Sequence, residues 1–128
     1  MSFSQIHQAL ANASLIFSLI IAGYGFWRYF RKQGIDASFW GALAAGELLF
    51  LVQLVIGLVL LASGLRPART WVHLLYGALL VLVLPFGYVA TRAADSHREA
   101  GLYALIGLFL AGVSLRAMST GTLLLPGG

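Results

Sequence analysis

The chain has 128 residues, of which 60% are hydrophobic and only 9% are charged, and its formal net charge is +4. A soluble domain of this length could not cover so much apolar surface with so few charges, which excludes a water-soluble globular protein. The basic residues lie at the ends of apolar segments rather than in one patch. This placement indicates membrane anchoring and argues against a nucleic-acid-binding surface.

Four segments are apolar over the roughly 20 residues that a helix needs to cross a bilayer. They cover about 6–30, 37–62, 71–90 and 99–118. Because the connections are short, successive helices should be antiparallel neighbours. The sequence therefore predicts an all-α, polytopic membrane protein, in which residues 1–128 form a single antiparallel up-down four-helix transmembrane domain surrounded by lipid.

The first segment begins near His7 and ends in a basic cluster of Arg28, Arg31 and Lys32. Its apolar run is too long for the core of a signal peptide, and no Lys or Arg precedes it, so we expect a retained span. Small residues follow His7 at helical spacing, beginning with Ala11. Such a stripe lets a neighbouring helix or a flat ligand approach closely.

The second segment follows Asp36, and either Asp36 or Ser38 is a suitable N-cap. It places Glu47 about 14 Å deep, near the middle of the bilayer. An ionisable group at this depth indicates a function, such as proton relay or proton-coupled transport. The alternative is a neutral carboxyl group hydrogen-bonded to a neighbouring helix, with Tyr24 or an arginine as its partner. Glu47 and Gln53 are about 120° apart around the helix, so they should face different neighbours.

The third segment opens with His73, after a turn that holds Arg66 and Arg69, and contains Pro85, which should kink it. Since the first and third helices run in the same direction, His7 and His73 should lie at the same end of the bundle and at equal depth. Two neutral imidazoles in this arrangement can bind a haem iron from opposite sides.

Nearby residues fit this haem interpretation. Ala11 and Gly77 each lie four positions after a histidine, where the face of a porphyrin needs space. Arg66 and Arg69 could pair bidentately with the haem propionates. The alternative is that both histidines are hydrated, titratable side chains at the membrane interface. Two ligands without carboxylates nearby make a poor zinc site, so the predicted cofactor is haem b, with the two histidines as its metal ligands.

The fourth segment is apolar except for Ser114 and Arg116, and the loop before it contains His97, to which we assign no role. Loops one and three carry five Lys and Arg residues, whereas the opposite side carries three. The positive-inside rule then predicts a multi-pass protein of the cell membrane with both termini on the extracytoplasmic side.

Three pieces of the chain, taken in order, resemble one four-helix half of the heme A synthase family. They are the helix start Ile6-His7-Gln8-Ala9-Leu10-Ala11, the helical piece Leu51-Val52-Gln53-Leu54-Val55-Ile56-Gly57, and the turn and helix start from Gly64 to Gly77 that contains His73. That family has eight membrane helices in two similar bundles, each with a pair of histidines suited to haem. The resemblance implies that His7 and His73 are the axial pair and that Gln53 and Gly57 line the pocket.

The chain also departs from that family. Gln8 stands where the family usually has arginine, and Ser4 stands where its active half has glutamate. The cysteine pair of some members is absent, and there is one bundle instead of two. The resemblance therefore implies haem binding rather than oxidation of a haem methyl group, and it favours a protein that is not an enzyme.

The sequence thus predicts a small haem-binding membrane protein, similar to a b-type cytochrome, that serves in electron transfer or haem handling. We expect its haem near the outer face and its partners in a homodimer or a larger membrane complex. Two alternatives stay open. One is a small oligomeric proton-coupled transporter or channel that uses Glu47. The other is an accessory subunit that packs onto a larger complex through its small residues.

Overall fold

The computed structural model describes residues 2–64, 66–67, 70–120 and 123–124. Its helices are α1 Phe3–Phe30, α2 Ala37–Ala62, α3 Thr70–Ala90 and α4 His97–Thr120. Two-residue strands, β1 Arg66–Pro67 and β2 Leu123–Leu124, pair in antiparallel orientation. The helices contain stretches of 26, 26, 20 and 22 residues that are long and apolar enough to cross a membrane. The predicted all-α, multi-pass membrane fold is confirmed.

Two helices begin upstream of their predicted starts because capping residues extend them. At the start of α1, Ser2 Oγ accepts a hydrogen bond from the backbone N–H of Gln5 at 3.2 Å, and Gln5 Oε1 accepts one from the N–H of Ser2 at 3.0 Å. At the start of α4, the backbone N–H of Ser96 donates to Glu99 Oε1 at 3.1 Å. These bonds satisfy N–H groups that the first turn of a helix leaves without partners.

The closest packing in the bundle is between α1 and α4. A Cβ added to Gly25 would lie 2.7 Å from the carbonyl oxygen of Ala100, and one added to Gly107 would lie 2.8 Å from that of Ser18. Further contacts join α1 to α2, α2 to α3 and α3 to α4. The helices therefore follow one another around the bundle in chain order, and the glycine-lined contact of α1 with α4 closes the ring.

Side chains inside and outside this bundle are equally apolar. Phe39, Phe50 and Tyr103 are at most 1% exposed, whereas Phe30 and Phe86 are 75% and 74% exposed. Lipid is the solvent for such outward-facing side chains, so their exposure does not destabilise the fold.

The two ends of the bundle differ in structure. At one end, the loops 31–36 and 91–96 are joined by a hydrogen bond of 2.7 Å from the N–H of Ile35 to the carbonyl oxygen of Asp95. We name this the loop end. The opposite end, where α1 and α3 begin and α2 and α4 finish, is the histidine end.

Arg28 and Asp36 organise the loop end. The Arg28 guanidinium donates to the carbonyl oxygen of Gly34 and lies 3.4 Å from the carboxylate of Asp36. Asp36 Oδ1 accepts a hydrogen bond of 2.9 Å from the N–H of Phe39, which confirms Asp36 as the N-cap of α2. The charged residues at this end therefore hold the loop and start the next helix.

Candidate functional site

His7 and His73 lie side by side at the histidine end. His7 is the fifth residue of α1 and His73 is the fourth residue of α3, and both helices begin at this end. Their ring centroids are 6.1 Å apart and their ring planes are inclined by 72°. Both side chains are half-buried. The structure thus brings the two predicted histidines together, because parallel helices place early residues at the same depth.

The ring of His73 is held in one orientation by α4. His73 Nδ1 lies 3.0 Å from the carbonyl oxygen of Ala117. Since a carbonyl oxygen only accepts, Nδ1 must carry the proton and donate it. Ala117 is in the last turn of α4. In the neutral imidazole, the lone pair available for a metal is then on Nε2.

The ring of His7 is confined by α2. A Cβ added to Gly57 would lie 3.1 Å from His7 Cε1, so the glycine leaves the space that the imidazole fills. Gln53 Nε2 donates a hydrogen bond of 2.9 Å to the backbone carbonyl oxygen of His7. His7 Nδ1 is buried and has no hydrogen-bond partner among the described residues. The α1–α2 contact therefore positions the ring but leaves a polar ring atom unsatisfied.

The two imidazoles face a common cavity lined by residues from all four helices. It comprises about 930 Å³ of unfilled space counted out to its open mouth, of which about 80 Å³ is wide enough for water. Gln53 Oε1 and Ser114 Oγ, both buried in its lining, likewise find no partner in the described part of the chain. Buried polar groups are normally hydrogen-bonded, so the unsatisfied polar atoms around this cavity indicate that it binds a polar group.

Most residues predicted for this site line the cavity. They are His7, His73, Gln53, Gly57 and Gly77, together with Ala11. The other two predicted residues are Arg66 and Arg69. Arg69 lies outside the described residues, and of Arg66 only the backbone is described, in strand β1.

Sequence reasoning missed the contribution of α4. Ser114 lies in the lining of the cavity and Ala117 orients His73. Ser114 is a polar residue within an otherwise apolar segment, which was a usable signal. Ala117 acts through its backbone, so its side chain carries no signal at all.

The predicted intramembrane acid, Glu47, belongs to a different cavity. It lines a hollow of about 500 Å³ nearer the loop end, together with Pro85 and Tyr103. Glu47 Oε2 is buried and has no hydrogen-bond partner within residues 2–64, 66–67, 70–120 and 123–124. Tyr24, one of the two partners suggested for a neutral Glu47, instead accepts a hydrogen bond of 3.5 Å from Arg28 Nη1. Transport through Glu47 stays a prediction.

Two imidazoles are a sparse ligand set for a metal ion. No group of three or more His, Asp or Glu side chains suited to a metal comes together in the portion of the chain that the structure describes. A metal bound end-on by two imidazoles, with metal–nitrogen bonds of about 2.0 Å, places the ring centroids roughly 6 Å apart. The observed 6.1 Å matches this distance, and it also lies in the range of about 4.5–7 Å found for rings in direct edge-to-face contact. The other ligands of such a metal would have to come from its own cofactor, as they do in haem.

Comparisons with protein-family models, with curated proteins and with solved structures found no match for this chain. The resemblance to heme A synthase therefore stays a prediction.

Proposed function

We propose that this protein is a small haem-binding membrane protein in which His7 and His73 are the axial ligands of haem b. The observation that carries the proposal is the pair of half-buried imidazoles, 6.1 Å apart at their centroids. The bond from His73 Nδ1 to the carbonyl oxygen of Ala117 supports it. Histidines that bind a metal usually donate their other ring N–H to a carbonyl or carboxylate oxygen in this way.

A macrocycle needs more room than the water-sized part of the cavity offers. Leu54 and Leu74 line the cavity, and their side chains can rotate to other staggered conformations as the cofactor enters. The water-accessible volume of about 80 Å³ lies below the range of about 300–1,000 Å³ that is usual for cofactor sites, so haem binding requires these side chains to move. Gly57 leaves the space that the His7 imidazole fills, and Gly77 lines the same cavity four residues after His73.

Haem with two protein ligands supplies one-electron redox chemistry, and both axial positions are then taken. This favours electron transfer or haem handling over catalysis on a bound substrate. The role of the chain is to hold the iron with two oriented imidazoles and to exclude water with apolar walls, both of which tune the redox potential. In this proposal Arg66 and Arg69, which follow α2 and precede α3 in the sequence, pair with the propionates.

The membrane setting and the partners belong to the same proposal. The excess of basic residues at the loop end would place that end in the cytoplasm and the haem near the extracytoplasmic face of the cell membrane. The resemblance to one half of the heme A synthase family supports a haem site at this position. A homodimer would rebuild an arrangement of two bundles, and a larger membrane complex could supply the redox partner.

Haem titration of the solubilised full chain tests the proposal. We expect one haem per chain, with an absorption band at about 560 nm after reduction, as b-type haem has. His7→Ala and His73→Ala should each weaken haem binding by more than about 100-fold, because each removes a metal ligand. His97→Ala is the matched control, since His97 begins α4 at the loop end. Haem binding that persists unchanged in both ligand variants would refute the proposal.

A further inference from the structure

The second cavity, toward the loop end, has three aromatic rings in its wall. The centroid of the Trp40 ring lies 5.6 Å from that of Tyr88 and 5.9 Å from that of Tyr103, and the planes are inclined by 80° in both pairs. All three side chains line the same hollow of about 500 Å³. We name these three rings the aromatic box. Perpendicular rings present both edges and faces to a shared space, and the faces carry the negative part of the quadrupole.

The polar groups of this cavity are suited to a positive charge. Glu47 lies seven residues after Trp40 on α2, which places both on one face of the helix. Glu47 Oε2 and the Tyr103 hydroxyl are buried, and neither has a hydrogen-bond partner in the described ranges of the chain. No described residue that lines the cavity is basic.

We propose that this cavity binds a bulky organic cation of the quaternary ammonium or phosphonium class. Such a cation is attracted to the faces of tryptophan and tyrosine rings. The carboxylate of Glu47 provides the opposite charge at a depth where an uncompensated charge is costly. A metal ion such as Ca²⁺ or Mg²⁺ requires six or more oxygen ligands, and the largely apolar lining of this cavity does not supply them. The volume of about 500 Å³ suits a ligand of small-molecule size.

This site is separate from the histidine pair. Glu47 precedes Gly57 by ten residues on α2, which corresponds to about 15 Å along the helix axis. The two cavities share no lining residue among those that the structure describes. Binding of an organic cation is therefore independent of whether haem binds.

Calorimetric titration of the full chain in dodecyl maltoside with tetraphenylphosphonium tests the inference. Tetraphenylborate has the same shape and the opposite charge, so it should not bind above the signal of empty micelles. Glu47→Gln should weaken tetraphenylphosphonium binding by about tenfold or more, because it removes the compensating charge but keeps the size of the side chain. Trp40→Leu should weaken it as well, since it removes one wall of the aromatic box.

Asp95→Asn is the matched control, because it removes one negative charge at the loop end from a residue outside the cavity. Binding of tetraphenylborate as strong as that of tetraphenylphosphonium would overturn the inference. Equal tetraphenylphosphonium affinities of the unsubstituted protein and a folded Glu47→Gln variant would overturn it as well.

The charged headgroup of a choline lipid offers the same chemistry as a free cation. Displacement of tetraphenylphosphonium by dodecylphosphocholine would assign the site to a headgroup, and retention would assign it to a free cation.

Discussion

Replacing Gly57 by alanine should weaken haem binding, because the added methyl group would press on the imidazole of His7. The new Cβ would lie 3.1 Å from His7 Cε1, whereas carbon atoms pack at about 3.5–4.0 Å. The ring must therefore retreat by roughly 0.4–0.9 Å. A metal–nitrogen bond keeps its length within about 0.2 Å. We expect the haem affinity to fall by about 10–100-fold, the usual cost of altering the surroundings of a metal-ligating histidine.

The assay is haem titration followed by visible absorbance, with circular dichroism to establish that the variant is folded. Gly41→Ala is the matched control, because Gly41 is also on α2 and its added Cβ would meet nothing within 4 Å. The haem affinity of Gly41→Ala should stay within about twofold of that of the unsubstituted protein. If folded Gly57→Ala binds haem as tightly as the full chain, then α2 does not confine His7 in the loaded protein, and the proposed geometry is wrong.

Two further substitutions test the fold that positions the site. Gly107→Ala should lower the free energy of unfolding by about 1–3 kcal/mol through overpacking, since its Cβ would lie 2.8 Å from the backbone nitrogen of Ala22. Gly112→Ala is the control, because its Cβ would meet nothing within 4 Å. Denaturation in SDS measures both, and equal stabilities would contradict the α1–α4 contact. Asp36→Ala should cost about 1 kcal/mol by removing the N-cap of α2. Thermal melts should show this loss in Asp36→Ala and its partial recovery in Asp36→Ser. An unchanged melting temperature of Asp36→Ala would show that the cap does not stabilise the fold.

Hydropathy predicted the four helices because a bilayer imposes their length and excludes most charges from their interiors. The meeting of His7 and His73 followed from the same reasoning. Once two helices are parallel, residues near their starts share a depth. The separation of Gln53 from Glu47 was predictable from helical geometry, and the structure places them in different cavities.

The capping residues in the sequence indicate where α1 and α4 begin. Ser2 with Gln5 and Ser96 with Glu99 both have the spacing of a capping box, and both make capping bonds in the structure. These polar residues precede the apolar runs, so a prediction based on hydropathy alone places the starts too late.

Other features of the sites depend on how each helix is rotated about its axis, which a single sequence does not specify. The Ala117 carbonyl reaches His73 because α4 packs beside α3, and no side-chain pattern marks a backbone acceptor. Tyr103 joins Glu47 in one cavity for the same reason. Tyr24, suggested with an arginine as a possible partner of Glu47, bonds to Arg28 instead for the same reason.

Electron paramagnetic resonance of the oxidised, haem-loaded protein tests most directly whether His7 and His73 hold one iron between them. Two imidazole ligands give low-spin ferric haem, and a single imidazole leaves it high-spin. We expect a low-spin signal from the full chain, strongly anisotropic because the imidazole planes are inclined by 72°. It should become high-spin in His7→Ala and in His73→Ala. A high-spin signal from the full chain, or an unchanged low-spin signal from either variant, would contradict the paired-histidine site.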